Sequence, residues 1–85
     1  LGLEEIVERV LERMGPVQKI LLVGDYAQGL DSGTIDVVLI GNQLNTEYIA
    51  ALEEKVEGLI DRKVNFYLAT KPNPTQNSIL LYESN

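Results

Sequence analysis

The stretch Val23–Ile40, VGDYAQGLDSGTIDVVLI, decides the fold. It leaves one apolar run at Val23, crosses a polar segment, and enters a second apolar run that a single carboxylate, Asp36, interrupts. The segment Gly24–Gly33 (GDYAQGLDSG) carries three Gly, two Asp and one Ser, the composition of a loop with room for one helical turn. Upstream, Val17–Val23 (VQKILLV) is rich in branched apolar residues and bounded by Pro16 and Gly24, which reads as a strand. Its end, Ile20–Val23, is continuously apolar, as in a strand covered on both faces. Downstream, Ile35–Ile40 (IDVVLI) reads as a second buried strand, an antiparallel neighbour of the first because so short a connection joins them.

Working outward, Leu3, Ile6, Val7, Val10, Leu11 and Met14 recur at helical spacing and predict an amphipathic helix over 3–14. Gly15 and Pro16 end it: a left-handed cap, then a residue that cannot continue a helix. After a connector from Gly41 to Asn45, either Asn45 or Thr46 caps a second helix running to about Asp61. Ile49, Leu52, Val56, Leu59 and Ile60 form its inner stripe, and Glu53, Glu54, Lys55 and Glu57 its wet side. Lys63–Ala69 (KVNFYLA) alternates Val64, Phe66 and Leu68 against Asn65 and Tyr67, a third strand. Thr70–Ser78 is a Pro/Asn-rich loop, and Ile79–Tyr82 an apolar edge strand. The order α-β-loop-β-α-β, with a parallel right-handed β-α-β unit, predicts an α+β domain: a small mixed sheet with helices on one face.

With 85 residues, folding leaves about 5,000 Å² exposed of the roughly 13,600 Å² of the unfolded chain, enough for one core and one domain over 1–85. The chain is 45 % hydrophobic and 24 % charged, so ordinary globular protein. It starts at Leu1 rather than Met, and is expected to be a piece of a longer protein. Without Cys there is no disulfide or thiolate, and without His no Ser-His-Asp triad and no His-ligated metal. Any catalysis must therefore use carboxylates, Lys, Tyr or a carboxylate-held hard cation such as Mg²⁺. Thirteen acids against seven bases give a net charge of −6, which repels polyanions. No apolar run approaches a membrane span, and the expected location is cytoplasmic.

The Val23–Ile40 motif resembles the signature of minimal nucleotidyltransferase domains of the DNA polymerase beta type, over roughly residues 17–68. Gly24 matches the family's leading Gly, Ala27 and Gly29 its small residue and second Gly, and Asp36 the second acid of its Asp-x-Asp pair, followed by Val37 and Val38. The resemblance implies a chemistry in which three carboxylates hold two divalent metals. Here Thr34 stands at the first carboxylate and Asn65 falls about where the third is expected, so Asp36 is left as a lone, weak metal ligand. Asp25 replaces the Ser of a Gly-Ser phosphate-binding element and sets an anion against an anion, at about 1–4 kcal/mol per charge pair at contact range.

These departures predict a degenerate nucleotidyltransferase-fold domain with no catalytic residues and no cofactor, a weak ligand site at Gly24, Asp25, Gly29 and Asp36, and partners limited to a second copy or a nucleotide or small-molecule ligand. Similar degenerate motifs occur in bacterial chains behind a winged-helix domain of the ArsR type. The resemblance thus implies the ligand-sensing or assembly module of a transcriptional regulator, touching DNA only through a domain outside this chain. The alternative is a working transferase with a rebuilt Mg²⁺ site, Asp36 sharing the ion with Asp25 or Asp31. A third reading is an interaction module whose Ile79–Tyr82 segment adds a strand to a partner's sheet.

Structural roles compete with these functional ones. Asp36 serves equally as a carboxylate bonded to the amides of Gly24–Gly33, and Asp25 as a turn or N-cap residue bonding amides near Ala27 or Gln28. Asp31-Ser32-Gly33 makes a tight turn, and Tyr26, Tyr48, Tyr67 and Tyr82 suit a rim or an interface. No Gly-Lys-Ser/Thr follows the glycines, which excludes a P-loop.

Overall fold

A computed structural model describes residues 2–85. The elements run α1 (Leu3–Arg13), β1 (Val17–Val23), α2 (Gly24–Ala27), β2 (Thr34–Gly41), α3 (Ile49–Ile60), β3 (Lys63–Ala69) and β4 (Ile79–Glu83), with a single 3-10 turn at Thr46–Tyr48. The four strands form one mixed sheet in the order β3-β2-β1-β4. β1 is antiparallel to β2 and to β4, and β2 is parallel to β3. The α+β architecture with helices on one face is thus as the sequence predicts.

Alternation along the strands sorts the side chains. Ile20 and Leu22, Val37 and Leu39, and Val64 and Phe66 meet Ile6, Val10 and Met14 of the first helical segment and Leu52 and Val56 of α3 in one core. Leu21, Val23 and Ile40 form a smaller cluster with Val38 and Ala69 on the opposite face. Ile20–Val23 is therefore buried on both sides, as its unbroken apolar run requires. The chain exposes 5253 Å², close to the value that scaling gives for one core of this length. Among the described residues, no helix is long and apolar enough to cross a membrane.

Two expectations about helix ends and faces are corrected. Gly15 takes the left-handed conformation (φ 94°) that stops α1, but Asn45 does not cap the second helix with its side chain. Its backbone N–H donates to the carbonyl of Met14 (2.9 Å) and its amide Nδ2 to that of Arg13 (3.3 Å), so it closes the C-terminal end of α1. Thr46 opens the 3-10 turn instead of capping α3.

The second correction concerns Glu53 and Glu57, one turn apart on the supposedly wet face of α3. Both are half-buried. Glu53 Oε2 accepts the backbone N–H of Phe66 (2.9 Å), and Glu57 Oε2 accepts that of Val64 (3.1 Å). β3 is an edge strand, and these carboxylates satisfy N–H groups that no neighbouring strand reaches. Alternation along β3 and the i,i+4 spacing on α3 put donors and acceptors in step.

A bond from a backbone N–H to a carboxylate contributes about 1.5–3 kcal/mol. Glu53→Ala is expected to lower unfolding free energy in urea by roughly that amount. Glu53→Gln, which keeps an accepting oxygen, should lose less, and Glu54→Ala, on the exposed side, should stay within about 0.5 kcal/mol of the parent.

Candidate functional site

The face of the sheet away from α1 and α3 carries a cleft of about 360 Å³. Leu21 and Val23 of β1 and Val38 of β2 form its floor, with Ala69 at the end of β3. One wall is the 70–78 connector, which contributes Lys71, Asn73, Gln76 and Ser78. That connector is held in a fixed turn: Asn73 Oδ1 accepts from both the N–H (3.0 Å) and the hydroxyl (2.8 Å) of Thr75, and the Asn73 carbonyl accepts from the Gln76 N–H (3.1 Å). Gly24 and Asp36 lie at the end where β1 gives way to α2.

Asp36 is placed by the same alternation that buries Ile35 and Val37. It stands opposite Val23 on β1 and opposite Asn65 on β3. Asn65 Nδ2 donates to its Oδ1 at 3.0 Å, and the Tyr67 hydroxyl donates to the same oxygen at 3.4 Å. The expectation that amides of Gly24–Gly33 hold this carboxylate is corrected: side chains of β3 do so, across the parallel pair. The negative charge of Asp36, then lost hydration and the hydrogen bond itself, push the Tyr67 hydroxyl above its ordinary pKa.

Gly24 approaches Asp36 closely. With φ +72°, it has a conformation that L side chains rarely adopt, and a Cβ there would lie 2.9 Å from Asp36 Oδ2. The leading Gly of the motif therefore makes room for the carboxylate.

The other two residues of the expected ligand set lie elsewhere. Gly29 has open space around it, and neither it nor Asp25 lines the cleft. Asp25 is exposed, and the cap of α2 falls on Val23 with no side-chain bond. It is the backbone carbonyl of Asp25, not its carboxylate, that organises the turn, accepting from the N–H groups of Gln28 (2.9 Å) and Leu30 (3.0 Å). Asp31 does form the tight turn, accepting from the Gly33 N–H at 3.0 Å. It is also bound in a fork by Arg62, whose Nε lies 3.1 Å from Oδ2. Sequence reading missed that partner and the cleft residue Lys71, whereas Tyr67, expected at a rim or interface, lines the cleft.

The residues present do not fit a pair of divalent cations. Thr34 sits two residues before Asp36 on the same face, and Asn65 sits opposite it. Both are neutral, and the Asn65 amide turns a donor, not a ligand, toward the carboxylate. Among the described residues, no three acidic side chains converge as a metal site would need. Asp31 is engaged by Arg62 and does not line the cleft that holds Asp36.

Neither a family model nor a curated protein matches the sequence. Solved structures do match the fold. A chain in the crystal structure of a toxin–antitoxin with AMP-PNP aligns at a TM-score of 0.80 and 20% identity, over 99% of this chain and 75% of that one. A chain in a mutant of the toxin–antitoxin MntA–HpeT aligns at 0.81 and 19% identity, again over 99% and 75%. A chain in the complex of a tri-AMPylated Shewanella oneidensis HEPN toxin with MNT antitoxin aligns at 0.72 and 17% identity, over 96% and 70%. The chain shares the fold of these chains, a small mixed α+β domain of nucleotidyltransferase-like architecture. At such identities the likeness is one of backbone; the positions at which the sequence resemblance would place three carboxylates hold Thr34, Asp36 and Asn65.

Two titrations check this geometry. Asp36→Asn is expected to lower the Tyr67 pKa toward the ordinary tyrosine value near 10, read as the ultraviolet phenolate signal that Tyr67→Phe removes. Arg62, through its hydrogen bonds ahead of the Gly33 N–H, holds the Asp31 carboxyl below the usual range. Its contribution to stability is therefore complete above the unfolded pKa near 4 and is lost as pH falls through the lower folded value. Asp31→Asn should flatten that acid limb in a series of urea melts taken below about pH 5.

Proposed function

We propose that this chain is a non-catalytic nucleotidyltransferase-fold domain that serves as the ligand-sensing or assembly module of a bacterial transcriptional regulator. The observation that carries the first half is the state of Asp36: a single carboxylate whose Oδ1 is committed to Asn65 and Tyr67 in a cleft with no second acid. A transferase of this fold must neutralise a triphosphate and its leaving group, which rests on metal ions held by several carboxylates. The regulator context is supported by the resemblance of GDYAQG and SGTIDVVLIG to domains that follow a winged-helix ArsR-type module. With a net charge of −6, this domain would leave DNA contact to that module and work in the cytoplasm beside it.

The comparisons favour the assembly side of this reading. The neighbours of the fold come from toxin–antitoxin structures, one of them described as a toxin in complex with an antitoxin. Assembly with a protein partner is therefore the second role proposed, served by the exposed Ile79 and Leu80 of edge strand β4.

The competing reading is a transferase that rebuilds its Mg²⁺ site around Asp36. Calorimetric titration with ATP and Mg²⁺ or Mn²⁺, run beside an assay for transfer of labelled AMP, separates the two. The expected result is no metal-dependent heat and no transfer. Binding that requires the metal and disappears in Asp36→Ala would overturn the non-catalytic reading.

A further inference from the structure

We propose that the cleft on the open face of the sheet binds a small zwitterion with an apolar body, of the class of a free aliphatic or aromatic amino acid. The inference rests on the non-catalytic reading above and names its ligand by the chemistry of the walls.

Three features converge. Asp36 is half-buried and faces no cation among the described residues; both donors it receives, from Asn65 and Tyr67, are neutral and go to Oδ1. Its Oδ2 receives no hydrogen bond from the described residues and lies in the room that Gly24 leaves for lack of a Cβ, at the cleft. A carboxylate oxygen left open to the cleft can take a cationic donor, and an ammonium supplies both charge and hydrogen bond. The exposed face of Tyr67, next to Asp36, adds an aromatic surface for the same cation.

The second feature is the floor. Leu21 and Val23 are 8 % and 4 % exposed, and with Val38 and Ala69 they offer an apolar bed to a side chain. The third is Lys71, the cation among the lining residues, which makes no ion pair in the described structure. It stands on the 70–78 wall and would take an anionic end. Opposite charges that form no ion pair among the described residues, beside one apolar floor, match a ligand charged at both ends and greasy between them. The volume of about 360 Å³ lies near the lower bound of ligand cavities (about 300–1,000 Å³), the scale of a single metabolite.

Amide chemical-shift titration of the whole chain tests this with L-leucine and L-phenylalanine, against isopentylamine, isocaproate and ATP with Mg²⁺ as separate arms. At least one amino acid should saturate shifts at Val23, Gly24, Val38 and Ala69. Isopentylamine and isocaproate, each lacking one charged end, should bind about tenfold more weakly or worse, as a lost charge-assisted bond implies. Asp36→Asn should weaken amino-acid binding by at least the same factor, and Lys71→Gln, on the exposed wall, should do so without touching the fold. Failure of both amino acids to move the cleft amides overturns the proposal, as does isocaproate binding as well as leucine. Silence from every probe, ATP included, overturns the zwitterion alone. Metal-dependent ATP shifts at the same amides, with none from the amino acids, would take the non-catalytic reading down as well.

Discussion

Along β2 every second side chain must point to the same side of the sheet, and on this strand the two sides face different worlds. Ile35, Val37 and Leu39 enter the core against α1 and α3, which fixes the register because a slip by one residue would send all three into the open cleft. Thr34, Asp36 and Val38 are then held on the opposite face whatever their chemistry. The parallel pairing to β3 does the rest, bringing Asn65 directly beside Asp36. The site is thus a by-product of core packing: the residues that anchor the strand are not those that line the cleft.

On that frame, a neutral residue beside Asp36 has a definite physical outcome. Two carboxylates side by side repel unless a cation lies between them. An amide beside a carboxylate attracts it directly, and the Asn65–Asp36 bond closes the contact with protein atoms alone. Tyr67 adds a second neutral donor, whose hydroxyl the neighbouring Asp36 charge pushes above its ordinary pKa. Asp36 Oδ1 is thus held by two neutral protein donors, both supplied by β3.

The regular elements were legible in the sequence because each rests on local signals. Val17–Val23 and Lys63–Ala69 are bounded by turn residues and carry clean patterns, and the observed strands match them end for end. Gly15 and Pro16 mark the end of α1 as expected. The misread residues act at long range. Asn45 looks like a helix start in its own neighbourhood, but its donors serve carbonyls at Arg13 and Met14. Glu53 and Glu57 look solvated on a helical wheel, which cannot show that an edge strand passes beneath them. Of the cleft, Gly24 and Asp36 were visible through the motif, whereas Lys71 and Ser78 enter it through a connector whose docking no periodicity encodes. Thr70–Ser78 was legible as a Pro/Asn-rich loop, but neither its turn at Asn73 nor where it would lean was.

The carboxylates of α3 over β3 give the sheet a direction. Its β3 edge has the N–H groups of Val64 and Phe66 already occupied by Glu57 and Glu53, while the β4 edge presents Ile79 and Leu80 at its surface. A strand arriving from outside finds bonding groups at one rim and a capped rim at the other. Strand addition at β3 would first have to displace two carboxylates from the N–H groups they hold, so that rim resists pairing from outside.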